Sequence, residues 1–278
     1  MRLGIPRLRM GPRTRGALVS LLSVSACVAA RCEAPAPATA AFSTYVGKVE
    51  SRLNRQHRSM NGFLASSGSG ARTDARLRNG EVIIEHMTPA NEADLSGALL
   101  HHWRGSAFVR GATVADFERL MKNFSGYPQR FSPQVVQAQV LSPHDGRIPD
   151  QFTAMMRVRQ HHVITVVMDT NYDVTFGRLD GQHGYSISRS TRISEIGSPG
   201  TTHEHALTGG EAHGFLWRQN IYWSYEEREG GLYMQVESIS LTRAIPAGLG
   251  WIVRPYVESV PRESLEFTLR AACNALKA

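Results

Sequence analysis

Cysteine is scarce in this chain and long apolar runs are missing. Of 278 residues only Cys27, Cys32 and Cys273 are cysteines, and two of these precede residue 33. Once the first residues are removed no intramolecular disulfide can form, and Cys273, set in a helical pattern, reads as a small buried apolar side chain. No stretch approaches the roughly 18 consecutive apolar residues of a spanning helix. The chain also lacks G-x-S-x-G, H-E-x-x-H, a Walker loop, G-x-G-x-x-G and any Cys-rich zinc pattern. Nucleophile-elbow hydrolases, zincins and nucleotide-dependent enzymes therefore lose their sequence support. No catalytic residue, cofactor or metal is expected. An enzyme working through cavity shape and one acid or base would escape such a search.

Acidic residues are absent from the first part of the chain. Arg2, Arg7, Arg9, Arg13, Arg15 and Arg31 all precede Glu33, the first acidic residue, so the formal charge of +7 falls to about +1 without them. No dense basic run with interleaved aromatics follows, which argues against a nucleic-acid partner.

The N-terminus reads as an export signal. Arginines come first, then an apolar segment from Ala17 to Ala30, then small residues and prolines. Val24-Ser25-Ala26-Cys27 resembles a bacterial lipobox, and Ala38-Thr39-Ala40 offers an ordinary cleavage site instead. The expectation is a periplasmic or extracellular protein, soluble export slightly favoured, with membrane-surface association if Cys27 is lipidated.

What is present falls into three parts: a leader and flexible spacer over 1–41, an N-terminal helix and loop over 42–80, and one domain over 81–278. Phe42, Tyr45, Val46, Val49, Leu53, Met60, Phe63 and Leu64 recur at helical spacing, with charges mainly on the other face. Ser66 to Gly80 reads as a loop. Strands are expected near 82–84 and 98–110, then a helix capped by Thr113 with Asp116 placed to complete the cap. Strand-like runs follow at about 134–142, 151–160, 162–177, 184–196, 213–229 and 231–243, the last pair joined by a Glu229-Gly230-Gly231 hairpin. After Pro246 the pattern is helical, interrupted at Pro255 and restarted at Pro261. The fold class is α+β, an antiparallel sheet bracketed by helices with the last helix covering one face.

Several segments carry a family resemblance: Gly97 to Gly105, Ser132 to Val136, His213 to Arg218, Glu237 to Arg243 with Pro246 to Trp251, and Pro261 to Leu265. Together with the element order they resemble the START-like, or SRPBCC, superfamily, in particular an exported bacterial subgroup. The resemblance covers roughly 81–278. It implies a helix-grip fold, a curved sheet wrapped on a long C-terminal helix around a cavity for a hydrophobic ligand. Function stays open at this level, because the fold hosts carriers, receptors and enzymes.

The residues suggest which side chains line such a cavity. Phe215, Trp217, Gln219, Ile221, Trp223 and Tyr225 alternate onto one face, which either lines a ligand site or forms ordinary core. Trp103 lies in another matching segment, and Trp251 and Tyr256 stand on the helix opposite. Arg157, Arg189 and Glu237 occupy strand positions where they either orient a ligand head group or face solvent on the outer side. The eleven histidines include the doublets His101-His102 and His161-His162, whose rings should point to opposite faces, and His203-Glu204-His205 near His213. They read as scattered hydrogen-bonding groups rather than metal ligands. The leading expectation is a non-catalytic binder of a lipid, isoprenoid or polyketide-like molecule. The alternatives are a cyclase- or hydrolase-type enzyme in the same pocket, with Arg157, Glu237 or a histidine as acid–base group, and a structural module whose interior is filled by its own side chains.

Overall fold

Alternation between glycine breaks sets the central strands, and the structure places them where the pattern puts them. The structure, a computed structural model, describes residues 33–59, 62–65, 70–142, 150–161, 165–245 and 250–277, with 250–258 described by backbone alone. The leader, with Cys27 and the lipobox, lies outside these residues, as do the side chains of Trp251 and Tyr256.

The strands are β1 (Ile83–His86), β2 (Asp94–Leu95), β3 (Ala98–Arg110), β4 (Val135–Val140), β5 (Asp150–His161), β6 (Thr165–Arg178), β7 (His183–Gly197), β8 (His205–Ala206), β9 (Arg218–Arg228) and β10 (Gly231–Arg243). They form one curved antiparallel sheet in the order β1-β3-β10-β9-β7-β6-β5-β4, with β2 on β3 and β8 on β7. The β9–β10 hairpin turns through Glu229 and Gly230, both at positive φ (53° and 78°), the backbone signature of a tight primed turn. Thr191 is the extra residue of a bulge in β7, because Asn171 pairs with Arg192 while Tyr172 pairs with Ser190.

The helices are α1 (Ala36–Gln56), α2 (Ala71–Arg78), α3 (Val114–Lys122), α4 (Tyr127–Arg130) and α5 (Gly250–Lys277). The Thr113–Asp116 capping box starts α3 as expected. Four local expectations need correction. The helical spacing from Phe42 to Leu64 does not hold to its end: α1 stops at Gln56, and Phe63 and Leu64 lie in a separate turn. The spacer is not all flexible: α1 begins at Ala36, directly after Pro35, and Ala38 is fully buried, because alanine is the best helix former and proline suits a helix start. The Ser66–Gly80 segment contains α2, bounded by Gly70 and Gly80 at positive φ. Pro255 and Pro261 do not interrupt α5, whose packing on the sheet offsets the backbone bonds they remove.

Two layers of helix cover the two sides of the sheet. On the inner side α5 lies against β3 and β10, and Leu265, Leu269 and Ala272 join α3 side chains over Val236, Trp223 and Phe176. Gly105 makes the close approach possible, since a Cβ there would stand 3.0 Å from a Leu269 methyl. This is the expected helix-grip. On the outer side α1 lays Phe42, Tyr45, Val49 and Leu53 on Leu100, Ile239 and Leu241. Phe63, Leu64 and Leu77 of α2 and the turn before it close over Phe108 and Tyr233.

Candidate ligand-binding site

Successive residues of a strand face opposite sides of a sheet, so each strand contributes every second residue to the side under α5. The apolar cluster and the register fix that parity: odd residues on β3 and β9, even residues on β5, β6, β10 and β7 as far as Ser190. One end of this inner face is sealed. Phe117 of α3 packs on Trp223 and Tyr225 with ring centroids 5.2 and 4.4 Å away. The Tyr225 hydroxyl donates to Glu118 at 3.0 Å, and burial, reinforced by that carboxylate, pushes its pKa well above the usual range. Asp150 pairs with Lys122 and Arg178 with Glu118, so the charges at this end are all tied to α3.

Toward the start of α5 the inner face changes character. The next row across the sheet runs Trp103, Ser238, Ile221 and Ser188, and the row after it His101, Ser240 and Gln219. The His101 Nε2 lies 2.9 Å from the Thr242 hydroxyl. Burial, with His86 nearby, lowers the His101 pKa to about 4, so the ring is uncharged near neutral pH. The Tyr172 hydroxyl donates to Gln219 Oε1 at 2.7 Å, and Gln160 donates to Ser264 of α5 at 2.5 Å. His101, Ser240, Thr170 and Thr242 are all buried. The Trp103 Nε1 is buried with no hydrogen-bond partner among the described residues, while its ring rests against His86 at 4.5 Å. An orphan donor is uncommon in a folded interior, and Trp217 Nε1 on the α1 side is a second one.

The expected site residues divide between the two sides. Trp103, Ile221, Trp223 and Tyr225 face α5, the last two as packed core under α3. Arg157, Arg189 and Glu237 do not face α5. Each has the parity opposite to the inner residues of its strand. Arg157 makes two bonds to Asp169, at 2.7 and 2.8 Å, and a third to Glu204 at 2.7 Å. Arg189 donates to Glu50 of α1 at 2.7 Å. Phe215 and Trp217 also leave the expected face, because β9 begins only at Arg218 and alternation does not hold before it. Phe215 is 39% exposed and stacked on His213, in a loop whose His213 and Phe215 amides donate to the buried Glu195 carboxylate. Trp217 turns to the α1 side.

Glu237 is the centre of a second polar cluster, on the outer side. It is fully buried and accepts two bonds from Arg52 of α1, at 3.1 and 2.5 Å, and one from His102 Nε2 at 2.9 Å. Gln235 donates to it at 3.1 Å, and the far nitrogen of His102 meets the Tyr45 hydroxyl at 2.8 Å. Burial alone would push the Glu237 carboxyl up; His102 and Arg52 overcome this and hold it at about 2. Tyr45 goes the other way, raised to about 12 by burial and by Glu92 and Glu237. The His101-His102 doublet thus splits as its strand position requires, one ring to each side.

His101, Thr242 and Tyr172 escaped the sequence reading as site residues, whereas Gln219 stands on the face that alternation gave it. The missed signal was strand parity: His101 stands two residues before Trp103. Among the described residues no three His, Cys, Asp or Glu side chains come together as a metal site.

The described strands and α5 have a helix-grip architecture. No family model matches the chain and no curated protein matches it. Solved structures similar to it include a START superfamily protein from Mycobacterium smegmatis, 15% identical, covering 64% of this chain and 97% of that one at a TM-score of 0.42. A STAR-related lipid transfer protein from Xanthomonas axonopodis is 15% identical, covering 70% and 99% at 0.43. An aromatase/cyclase from a Streptomyces species is 12% identical, covering 64% and 94% at 0.42. No ligand or activity passes from them to this chain.

Proposed function

We propose that this protein binds a hydrophobic small molecule between the inner sheet face and α5, as a carrier or receptor rather than a catalyst. The observation that supports this most is the change along the inner face, from aromatic rows sealed by α3 to rows carrying Ser238, Ser240, Thr242, His101 and the unpaired Trp103 Nε1. A core built only for stability fills such positions with apolar groups, because buried polar atoms cost free energy unless they find partners. Of the groups considered for acid–base work, Arg157 and Glu237 lie on the other side of the sheet, locked in ion pairs. On the inner face His101 and the exposed His86 remain, and a His101 ring that protonates only near pH 4 is poorly matched to proton transfer at neutral pH.

Titration with the fluorescent apolar probe N-phenylnaphthylamine tests this reading. Ser238→Phe, which places a ring in the row of Trp103 and Ile221, should weaken the probe at least about tenfold while costing about 1–3 kcal/mol of stability. Unchanged binding in a folded Ser238→Phe variant would place the probe elsewhere and defeat the proposal.

The proposal includes export, for which the arginine-rich start and the apolar segment speak. The position of α1 supports a cut upstream of Ala36: a cut after Ala40 would remove a packed turn that contains the buried Ala38. Processing at Cys27 would leave α1 whole. Intact-mass analysis of the protein from its native envelope should show an N-terminus between Cys27 and Ala36. A chain that still carries residues 1–26 would contradict export.

A further inference from the structure

We infer that the ligand of this site is an uncharged amphiphile, with an apolar body and a neutral head group, a hydroxyl or carbonyl, set against Trp103 and His101. The inference rests on the proposed function and names the class of molecule it takes.

The argument is the distribution of charge on the strands. Beyond the end tied to α3, the inner positions are 99–109 on β3, 152–160 on β5, 168–176 on β6, 184–190 on β7, 219–225 on β9 and 232–242 on β10, every second residue of each. None of these is Asp, Glu, Lys or Arg; past the Thr191 bulge Glu195 takes the inner parity opposite Met168, and its carboxylate is occupied by the His213 and Phe215 amides. The same strands are not short of charge: Arg104, Arg157, Asp169, Asp173, Arg189 and Glu237 all occupy outer positions. The described part of α5 agrees, since Arg262, Glu263 and Arg270 are exposed. Among the described residues an anionic head group buried on the inner face would meet no cation of the sheet, and a cationic one no carboxylate that is not already held by the His213 and Phe215 amides. Burying either without a partner is prohibitive.

What the face does offer is neutral hydrogen bonding. Trp103 Nε1 is a buried donor without a partner among the described residues, and indole N–H can only donate, so it calls for an acceptor oxygen. His101 is held beside the Thr242 hydroxyl, and Ser238 and Ser240 stand in the same two rows. A hydroxyl or carbonyl oxygen satisfies the indole and these groups without introducing charge. The apolar body then lies along Ile221 toward the aromatic rows.

Displacement of N-phenylnaphthylamine by two molecules of equal chain length separates the possibilities. Near neutral pH dodecanol is uncharged and dodecanoate is ionised. Dodecanol should compete at least about tenfold better than dodecanoate, a difference of about 1.4 kcal/mol. Equal or stronger competition by dodecanoate would overturn the inference and leave the binding reading standing. If the probe itself does not bind, the binding reading fails first. Trp103→Phe keeps a ring and deletes the donor. It should weaken dodecanol about three- to tenfold, the worth of one hydrogen bond, and leave the headless probe unchanged. Equal loss of both would mean altered shape, and would remove Trp103 from the head-group site.

Discussion

The two sides of this sheet are made by the same strands and end with opposite chemistry. On the outer side α1 seats an apolar stripe and, in the middle of it, a fully buried carboxylate held by Arg52 and His102. On the inner side the sheet rows of Trp103 and His101 carry hydroxyls, an amide and an imidazole but no formal charge. A buried ion pair demands fixed partners and rigid geometry. It suits a contact that should stay closed. Neutral groups that are only partly paired can change partners cheaply, which suits a surface that a ligand visits. On that contrast α1 holds the fold, and the proposed binding falls to the inner face.

The largest effect should come from breaking the outer side. Arg52→Ala leaves Glu237 buried with only part of its compensation, and should cost about 3–5 kcal/mol in chemical denaturation. The double variant Arg52→Ala, Glu237→Leu should recover much of that loss, because it removes the stranded charge. Failure of the double variant to recover stability would mean that α1 is held by its apolar stripe alone.

Acid titration sharpens the contrast at smaller scale. His57 on the outer side and His101 on the inner side are both lowered by burial to about 4, from 6.5. The unfolded chain therefore takes up protons first, and stability should fall as pH drops from about 6.5 to about 4. Glu237 is held at about 2 against an ordinary 4.5. Its contribution is complete above about 4.5 and is lost as pH falls toward 2. Each group amounts to about 3 kcal/mol at most. His101→Asn should flatten part of the upper slope and leave the lower one, whereas Glu237→Gln should do the reverse. Denaturation midpoints measured across this range would contradict the assignment if both variants altered the same window.

Much of the fold was legible in the sequence. β3 and β10 match their expected limits because β3 lies between Gly97 and Gly111 and β10 starts after Gly230, and the Thr113–Asp116 cap has a defined spacing. The site was legible only by half. Alternation within 218–228 groups Ile221, Trp223 and Tyr225, but it does not say which side of the sheet each strand turns to its neighbour. That depends on register, so Arg157, Arg189 and Glu237 could not be assigned a side before the pairing was known. The bulge at Thr191 shifts parity within β7 as well. Two amphipathic helices also compete for the sheet. Phe42, Tyr45, Val49 and Leu53 of α1 are as apolar as Leu265, Leu269 and Ala272 of α5, so composition alone does not tell which helix covers which face.

The most direct test of the contrast is the chemical identity of what the protein carries. Organic extracts of protein purified under native conditions, read by mass spectrometry, should contain one uncharged molecule in near-stoichiometric amount, bearing a hydroxyl or carbonyl on an apolar body. An anionic lipid or a free fatty acid recovered at that stoichiometry would contradict the account of the inner face.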